Sequence, residues 1–291
     1  MTRPSTRDGV ASGGPVVRGA NGQGGERELP GAQWIPELPA GTGRYRLRFA
    51  RTQAELDAAC RLRFEVFNIE LNEGLPESYE SGLDRDEFDE QCQHLLVLDS
   101  ETDTVVGTYR MQVAEAATAG KGFYSAGEYD FSTLPDEALS QSAELGRACV
   151  ARSHRSKHVL FLLWRGVIAY VRANECPLVF GCSSLTSQDP QLAADAYLHI
   201  KRRGWLHPRY HVDPLPEFVC PAPEISIETD AETARARADA VELPTLFSMY
   251  MRHGANVVGS PAMDRTFGTI DFLTLMDTRR MSMRLLTNIL R

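Results

Sequence analysis

Residues 84–99 read DRDEFDEQCQHLLVLD, with five acidic side chains among the first seven before the apolar run His94–Leu98 begins. The second half has the make-up of a core strand, and after the turn SETD (100–103) a second such run follows, TVVGTYRMQV (104–113). Two strand-like runs joined by a short polar turn read as an antiparallel hairpin. The first half poses an electrostatic question. Either the acids form a solvated loop, or they line a pocket that receives a cation.

Toward the N-terminus, YRLRFA (45–50) alternates polar and apolar residues as a strand does. Thr52 followed by Glu55 is a capping-box pattern and predicts a helix over 53–70. Its apolar positions include Leu56, Ala59, Leu62, Val66, Phe67 and Ile69. Arg63 lies four residues from both Ala59 and Phe67, so its guanidinium falls on or beside the buried stripe and needs an acidic partner. The acidic run supplies candidates.

Toward the C-terminus, residues 114–141 read as a long excursion with at most one short helix, carrying the aromatic stretch FYSAGEYDFS (123–132). SAELGRACVAR (142–152) is strand-like. Alternation sets Glu144 on one face with Ala148 and Val150, unless a bulge breaks the pattern. A helix over 159–174, a strand LVFGCSSL (178–185) and a helix from Asp189-Pro190 to about 203 follow. The order β-α-β-β-β-α-β-α predicts an α+β domain with a mostly antiparallel central sheet, flanking helices and one crossover helix. Residues 205–291 read as an extension: a Pro-rich connector, a helix over 243–252, a turn-rich segment ending in a strand, and a basic helical terminus.

Composition narrows the function classes. A net charge of −8 argues against a dedicated nucleic-acid binder. No apolar run approaches the roughly 20 residues of a membrane span, and the N-terminus lacks a signal-peptide core. Residues 1–33 are rich in Gly, Arg, Ser and Pro, so 1–44 is expected to be a poorly ordered tail before a domain over 45–291. The glycines of GANGQGGERE (19–28) follow no strand and are not read as a phosphate loop. The six cysteines form no CxxC pair and read as reduced core thiols of a cytoplasmic protein. Pro208 between His207 and His211 argues against a helical ligand pair, and no metal is expected. Cys182-Ser183-Ser184 lacks the surroundings of a nucleophile elbow.

The element order resembles the GNAT acyltransferase fold. RLRFEVFNIE (61–70), LDRDEFDEQCQHLLVLD (83–99) and VVGTYRMQ (105–112) resemble blocks shared by two families, the acyl-homoserine-lactone autoinducer synthases and the haemolysin-like ornithine-lipid N-acyltransferases. LPTLFSMYMRHGANVVGSPAMDRTFGTIDFLTLMD (243–277) resembles only the second. The resemblance covers roughly residues 45–276. By it, Arg63 and Phe67 match the synthases' first-helix Arg and Phe, and Asp86 and Asp89 match their paired aspartates. Arg110 matches the strand arginine, and Glu144 and Arg147 match the strand Glu and Arg. Those synthases carry a Trp where this chain has Glu73, which argues against lactone formation. The loop before the long helix, RSHRSK (152–157), lacks the glycines with which acetyl-CoA-using relatives cradle a pyrophosphate. Arg152, Arg155 and Lys157 keep positive charge there, which suits an acidic carrier protein.

The resemblance implies an N-acyltransferase with no bound cofactor. An acyl carrier protein thioester would donate a long 3-hydroxyacyl chain to the α-amine of an amino acid, ornithine first among the candidates. Glu144 is the expected base, with a sheet-stabilising ion pair as its alternative role. Tyr197, in a context similar to a GNAT signature, is the candidate acid toward the thiolate. Asp86 and Asp89 would draw in the cationic amine, and Arg110 or Arg147 would hold the carboxylate. A backbone N–H near 148–150 would polarise the carbonyl. A lipid product would bring the protein to the inner face of the membrane, with RRMSMRLLTNILR (279–291) as a basic contact. Three other readings stay open: another acceptor (glycine, lysine, glutamine or tyrosine), acyl-homoserine-lactone synthesis, and a membrane-active haemolysin-like protein.

Overall fold

The computed structural model describes residues 27–38, 43–223 and 230–281. In chain order the helices and strands are β1 (Tyr45–Phe49), α1 (Gln53–Phe64), α2 (Ser78–Ser81), β2 (Gln93–Asp99), β3 (Thr104–Val113), α3 (Ala114–Ala119), α4 (Asp136–Ser140) and β4 (Ser142–Val150). Then come α5 (Lys157–Ala173), β5 (Leu178–Leu185), α6 (Pro190–Arg202), α7 (Ala231–Asp239), α8 (Thr245–Arg252), β6 (Asn256–Val257), β7 (Ala262–Asp264) and β8 (Thr269–Asp277). The capping box opens α1 as expected: Thr52 Oγ1 accepts from the Glu55 amide, and Glu55 accepts from the Thr52 amide at 3.1 Å. The helix does not run on to residue 70 in one form. From Glu65 to Glu70 it widens into a π-helical turn, a distortion that often accompanies functional sites.

The strands form one sheet in the order β1-β2-β3-β4-β5-β8-β6, with β7 also on β8. Every pairing is antiparallel except β4 with β5, which α5 connects by a crossover. α5 packs on the sheet face of Leu95, Val97 and Tyr109, while α1 covers the opposite face through Leu96, Leu98 and Cys149.

Two irregularities open the sheet at its centre. β4 and β5 pair only at Ser142↔Leu178, Ala143↔Val179 and Glu144↔Phe180, and part beyond that point. β4 also carries a bulge: its pairing with β3 shifts register between Thr108 and Arg110, and Arg147 takes a left-handed φ of 51°. A bulge bends a strand and re-aims its side chains. It breaks the alternation of β4 just where β5 leaves it.

Residues 27–38, within the expected tail, pack on the domain. Leu29 donates its amide to Arg51 O at 2.8 Å, and Asn174 Nδ2 donates to Trp34 O at 2.9 Å. Trp34, Ile35 and Leu38 pack on the main core, and that apolar surface is what binds residues 27–38 to the domain. Within the expected Pro-rich connector lies α7, capped by Asp230, which accepts from Thr233 N at 2.7 Å. It docks on α6 through Arg237–Asp195 at 3.1 Å. Its own apolar residues are alanines, which give almost no periodic signal. The excursion after β3 holds α3, α4 and two single 3₁₀ turns rather than one helix. The segments 1–26 and 282–291, which carry most of the expected tail and the basic terminus, lie outside the described residues.

Candidate active site

The acids of the opening stretch face arginines. Arg63 is 0% exposed. It donates to Asp84 Oδ1 at 2.6 and 2.8 Å and to both oxygens of Asp89 at 2.7 and 2.9 Å. Arg110 donates to Asp86 at 2.6 and 2.7 Å and to Asp89 at 3.1 Å, and Arg147 donates to Asp86 at 3.0 Å. Three aspartates thus balance three arginines. Burial alone would raise the Asp89 carboxyl, but the Arg63 and Arg110 charges outweigh it and hold it well below the usual range. Burial would likewise lower Arg63, and Asp89 and Asp84 hold it well above. His94 Nε2 donates to Asp89 O at 2.9 Å, and burial pushes its pKa down to about 4.

A cavity of about 510 Å³ lies where β4 and β5 part. It reaches both faces of the sheet, and the two ends differ in chemistry. On the α5 face it is bounded by Tyr109, Trp164, Val179, Phe247, Tyr250 and Met276, all in or against the main apolar core. On the other face stand Glu128, Glu144, Arg147, Cys182, Asp264 and Asp271. An apolar slot and an ionic chamber therefore meet at the parted strands. Just beyond the last pair β5 still passes close to β4, which needs a glycine at 181: a Cβ there would collide with the Leu145 carbonyl oxygen.

Glu144 lies at the junction. Its Oε1 accepts from Ser125 N at 2.7 Å and Ser125 Oγ at 2.6 Å, and its Oε2 accepts from Tyr124 N at 2.7 Å. Burial raises its carboxyl and these bonds offset part of the rise. It thus anchors the turn 124–127 over the cavity. Arg147 lies over the Phe267 ring, 4.1 Å from its centroid, and near Tyr124 at 5.2 Å. Its left-handed backbone on a strand is costly for a non-glycine residue and is met most often at functional sites.

The structure sorts the expected residues. Phe67, Arg110, Glu144 and Arg147 line the cavity, as does Glu73, hydrogen-bonded to Thr186. Arg63, Asp86 and Asp89 do not; they make the ionic lattice behind it. Tyr197, on α6, does not line the cavity either; it packs, half-buried, against the main core. In the 152–157 loop, Arg155 is occupied by Glu70 at 2.6 and 2.8 Å, while Arg152 and Lys157 are exposed. The loop does not border the cavity.

Glu128 and Asp271 were missed. Burial, followed by the charges of Asp271 and Asp264, pushes Glu128 well up; burial pushes Asp271 up to about 6. Together with Cys182 they offer ligand atoms within 4.8 Å of one another. One signal was available: Asp271 is an acid inside the apolar strand TIDFLTLMD (269–277), and a buried acid demands a partner.

The description "Acetyltransferase (GNAT) domain" matches residues 62–165. The chain is 34% identical over 241 residues to the L-ornithine N(alpha)-acyltransferase of Agrobacterium fabrum (strain C58), covering 80% of this chain and 81% of that one. It is 34% identical over 260 residues to the L-ornithine N(alpha)-acyltransferase of Brucella abortus (strain 2308), covering 83% and 87%. Among solved structures it aligns with FeeM, an N-acyl amino acid synthase from uncultured soil microbes, at a TM-score of 0.46 and 11% identity over 84% of this chain and 99% of that one, too loose a likeness to bear on the site. With its GNAT domain and relatives of this identity, the chain is an N-acyltransferase, its central strands parted over a two-ended cavity. Within that class, the chain belongs to the L-ornithine N(alpha)-acyltransferase family.

Proposed function

We propose that the protein transfers a long 3-hydroxyacyl chain from acyl carrier protein to the α-amine of ornithine, forming a lyso-ornithine lipid. The observation that carries this reading is the cavity itself, apolar at one end and acidic at the other, in a chain whose relatives are named L-ornithine N(alpha)-acyltransferase. The acyl chain would occupy the slot between α5 and α8, and the amino acid the ionic chamber.

The reaction needs no covalent enzyme intermediate. The α-amine nitrogen attacks the thioester carbonyl, the C–S bond breaks, and the thiolate takes up a proton as the amide forms. Glu144 is the group to accept the amine's proton: its Oε2 takes one hydrogen bond where Oε1 takes two. Arg147, with one η-nitrogen on Asp86 and the side chain lining the cavity, is the partner for the α-carboxylate. The parted edge of β4 beyond Glu144 offers backbone N–H groups to the developing oxyanion. Arg152 and Lys157 offer exposed charge to an acidic carrier protein. No described helix is long and apolar enough to cross a membrane. Donor and acceptor meet in the cytoplasm, and the product would partition into the adjacent leaflet.

Lipid mass spectrometry of a bacterial host expressing the protein, beside a Glu144→Gln control, tests the reading. A new N-acyl ornithine absent from the control is expected. A new N-acyl amino acid without ornithine would overturn the acceptor, and no acylated product from folded protein supplied with acyl carrier protein would overturn the reaction.

A further inference from the structure

Most ionic groups of the chamber are already satisfied. The arginines are matched by Asp84, Asp86 and Asp89, and Glu144 is bonded to the 124–127 turn. Asp264 Oδ1 accepts from the amides of Thr266 and Phe267. Among the described residues, the buried carboxylate oxygens that line the cavity without a partner are Glu128 Oε1 and Asp271 Oδ1; Arg147 Nε beside them, and Asp84 Oδ2 in the lattice behind, also lack one. Glu128 is 3% exposed and Asp271 4%. Two such acids side by side are unfavourable as a pair of anions: burial keeps Glu128 protonated until something cationic joins them.

Resting on the ornithine reading above, we infer that Glu128 and Asp271 clamp the side-chain ammonium of the amino acid, selecting a cationic acceptor and directing acylation to the α-amine. The spacing suits this task. Two oxygens each hydrogen-bonded to one tetrahedral nitrogen stand about 4.6 Å apart, and a carboxylate oxygen of Glu128 lies within 4.8 Å of one of Asp271. An ammonium brings three donors, and the two unpartnered oxygens take two of them. Burial, followed by Glu128 and Asp271, pushes the Cys182 thiol well up, so it stays protonated and donates to Glu128 Oε2 at 3.4 Å.

The clamp also accounts for which nitrogen reacts. A side-chain amine held between two carboxylates stays an ammonium, without the lone pair that attack requires. Arg147 would fix the carboxylate, and the α-amine, the one nitrogen left free, would face the thioester at the parted strands.

The test uses full-length protein with an acyl carrier protein thioester and a panel of ornithine, lysine and norvaline, the last matching ornithine's carbon chain without its second amine. Wild-type protein is expected to favour ornithine over norvaline at least 100-fold in kcat/KM. In Glu128→Gln or Asp271→Asn that ratio should fall at least tenfold, mainly through a higher KM for ornithine. A ratio that stays at the wild-type value while both rates fall would overturn the clamp and leave the ornithine reading standing. So would wild-type protein that acylates norvaline within threefold of ornithine, a measurement that needs no variant to fold. A wild-type preference for lysine, lost in the variants, would sink ornithine as the acceptor and support the clamp.

Discussion

Arg63 and Asp89 are bonded twice, Nη1 to Oδ1 at 2.7 Å and Nη2 to Oδ2 at 2.9 Å, with both side chains closed to solvent. α1 supplies the arginine and the acidic run before β2 the carboxylate, so the pair ties helix to sheet behind the cavity. Asp89 Oδ2 also accepts from the Asp86 amide at 2.9 Å, which shapes the acidic turn. Removing one partner of a buried pair leaves the other uncompensated, at a cost of roughly 3–5 kcal/mol. Asp89→Ala is expected to lose about that much in urea denaturation, with activity falling in step with the folded fraction. Unchanged stability with abolished turnover would return Asp89 to the acceptor pocket.

His94 makes stability depend on pH. Its folded pKa is depressed to about 4 from an ordinary 6.5, because burial disfavours the imidazolium. Between those values the unfolded chain binds the extra proton, so stability rises with pH across the window and is lost as pH falls. The loss from this one group between pH 7 and pH 5 is about 2 kcal/mol. Glu128 and Asp271, raised in the fold, act with the opposite sign. The comparison is therefore between wild type and His94→Gln, whose denaturation free energy should fall about 2 kcal/mol less over the same interval. Parallel curves would mean that His94 does not carry the effect.

Local signals carried much of the fold. The hairpin strands have the expected bounds, Gln93–Asp99 and Thr104–Val113, and Thr52 with Glu55 caps α1. What sequence could not show was direction. The sequence calls for acids of this run to meet Arg63, but only packing shows that Asp84, Asp86 and Asp89 all turn toward arginines instead of lining the cavity. Glu128 and Asp271 become neighbours because β8 pairs with β5 and the turn after residue 123 folds over them. No periodicity in either segment encodes that meeting. Tyr197 shows the reverse: a motif-like context on α6, with a side chain that packs away from the cavity.

Arg147 combines a left-handed backbone with a place in the ionic chamber. Lysine at this position keeps the charge and loses the planar fork that grips a carboxylate. Arg147→Lys is expected to raise KM for ornithine at least tenfold while changing kcat less, read from initial rates at saturating acyl carrier protein. A fall in kcat with KM unchanged would assign Arg147 to the reacting carbonyl instead of the bound carboxylate.

Glu144 can be tested as a base without removing it. Ser125 Oγ donates to its Oε1 at 2.6 Å and stabilises the charged carboxylate. Ser125→Ala deletes that bond and leaves the two amide donors in place. With less stabilisation of the ionised form, the Glu144 pKa rises further above its ordinary value. A base must be ionised to act, so the acid limb of kcat/KM against pH should move to higher pH, with the plateau rate less affected. Glu144→Gln, which places an amide donor against three donors, should lose most of kcat and about 1–3 kcal/mol of stability. An acid limb that stays put in Ser125→Ala would assign that ionisation to another group and leave Glu144 as the anchor of the 124–127 turn.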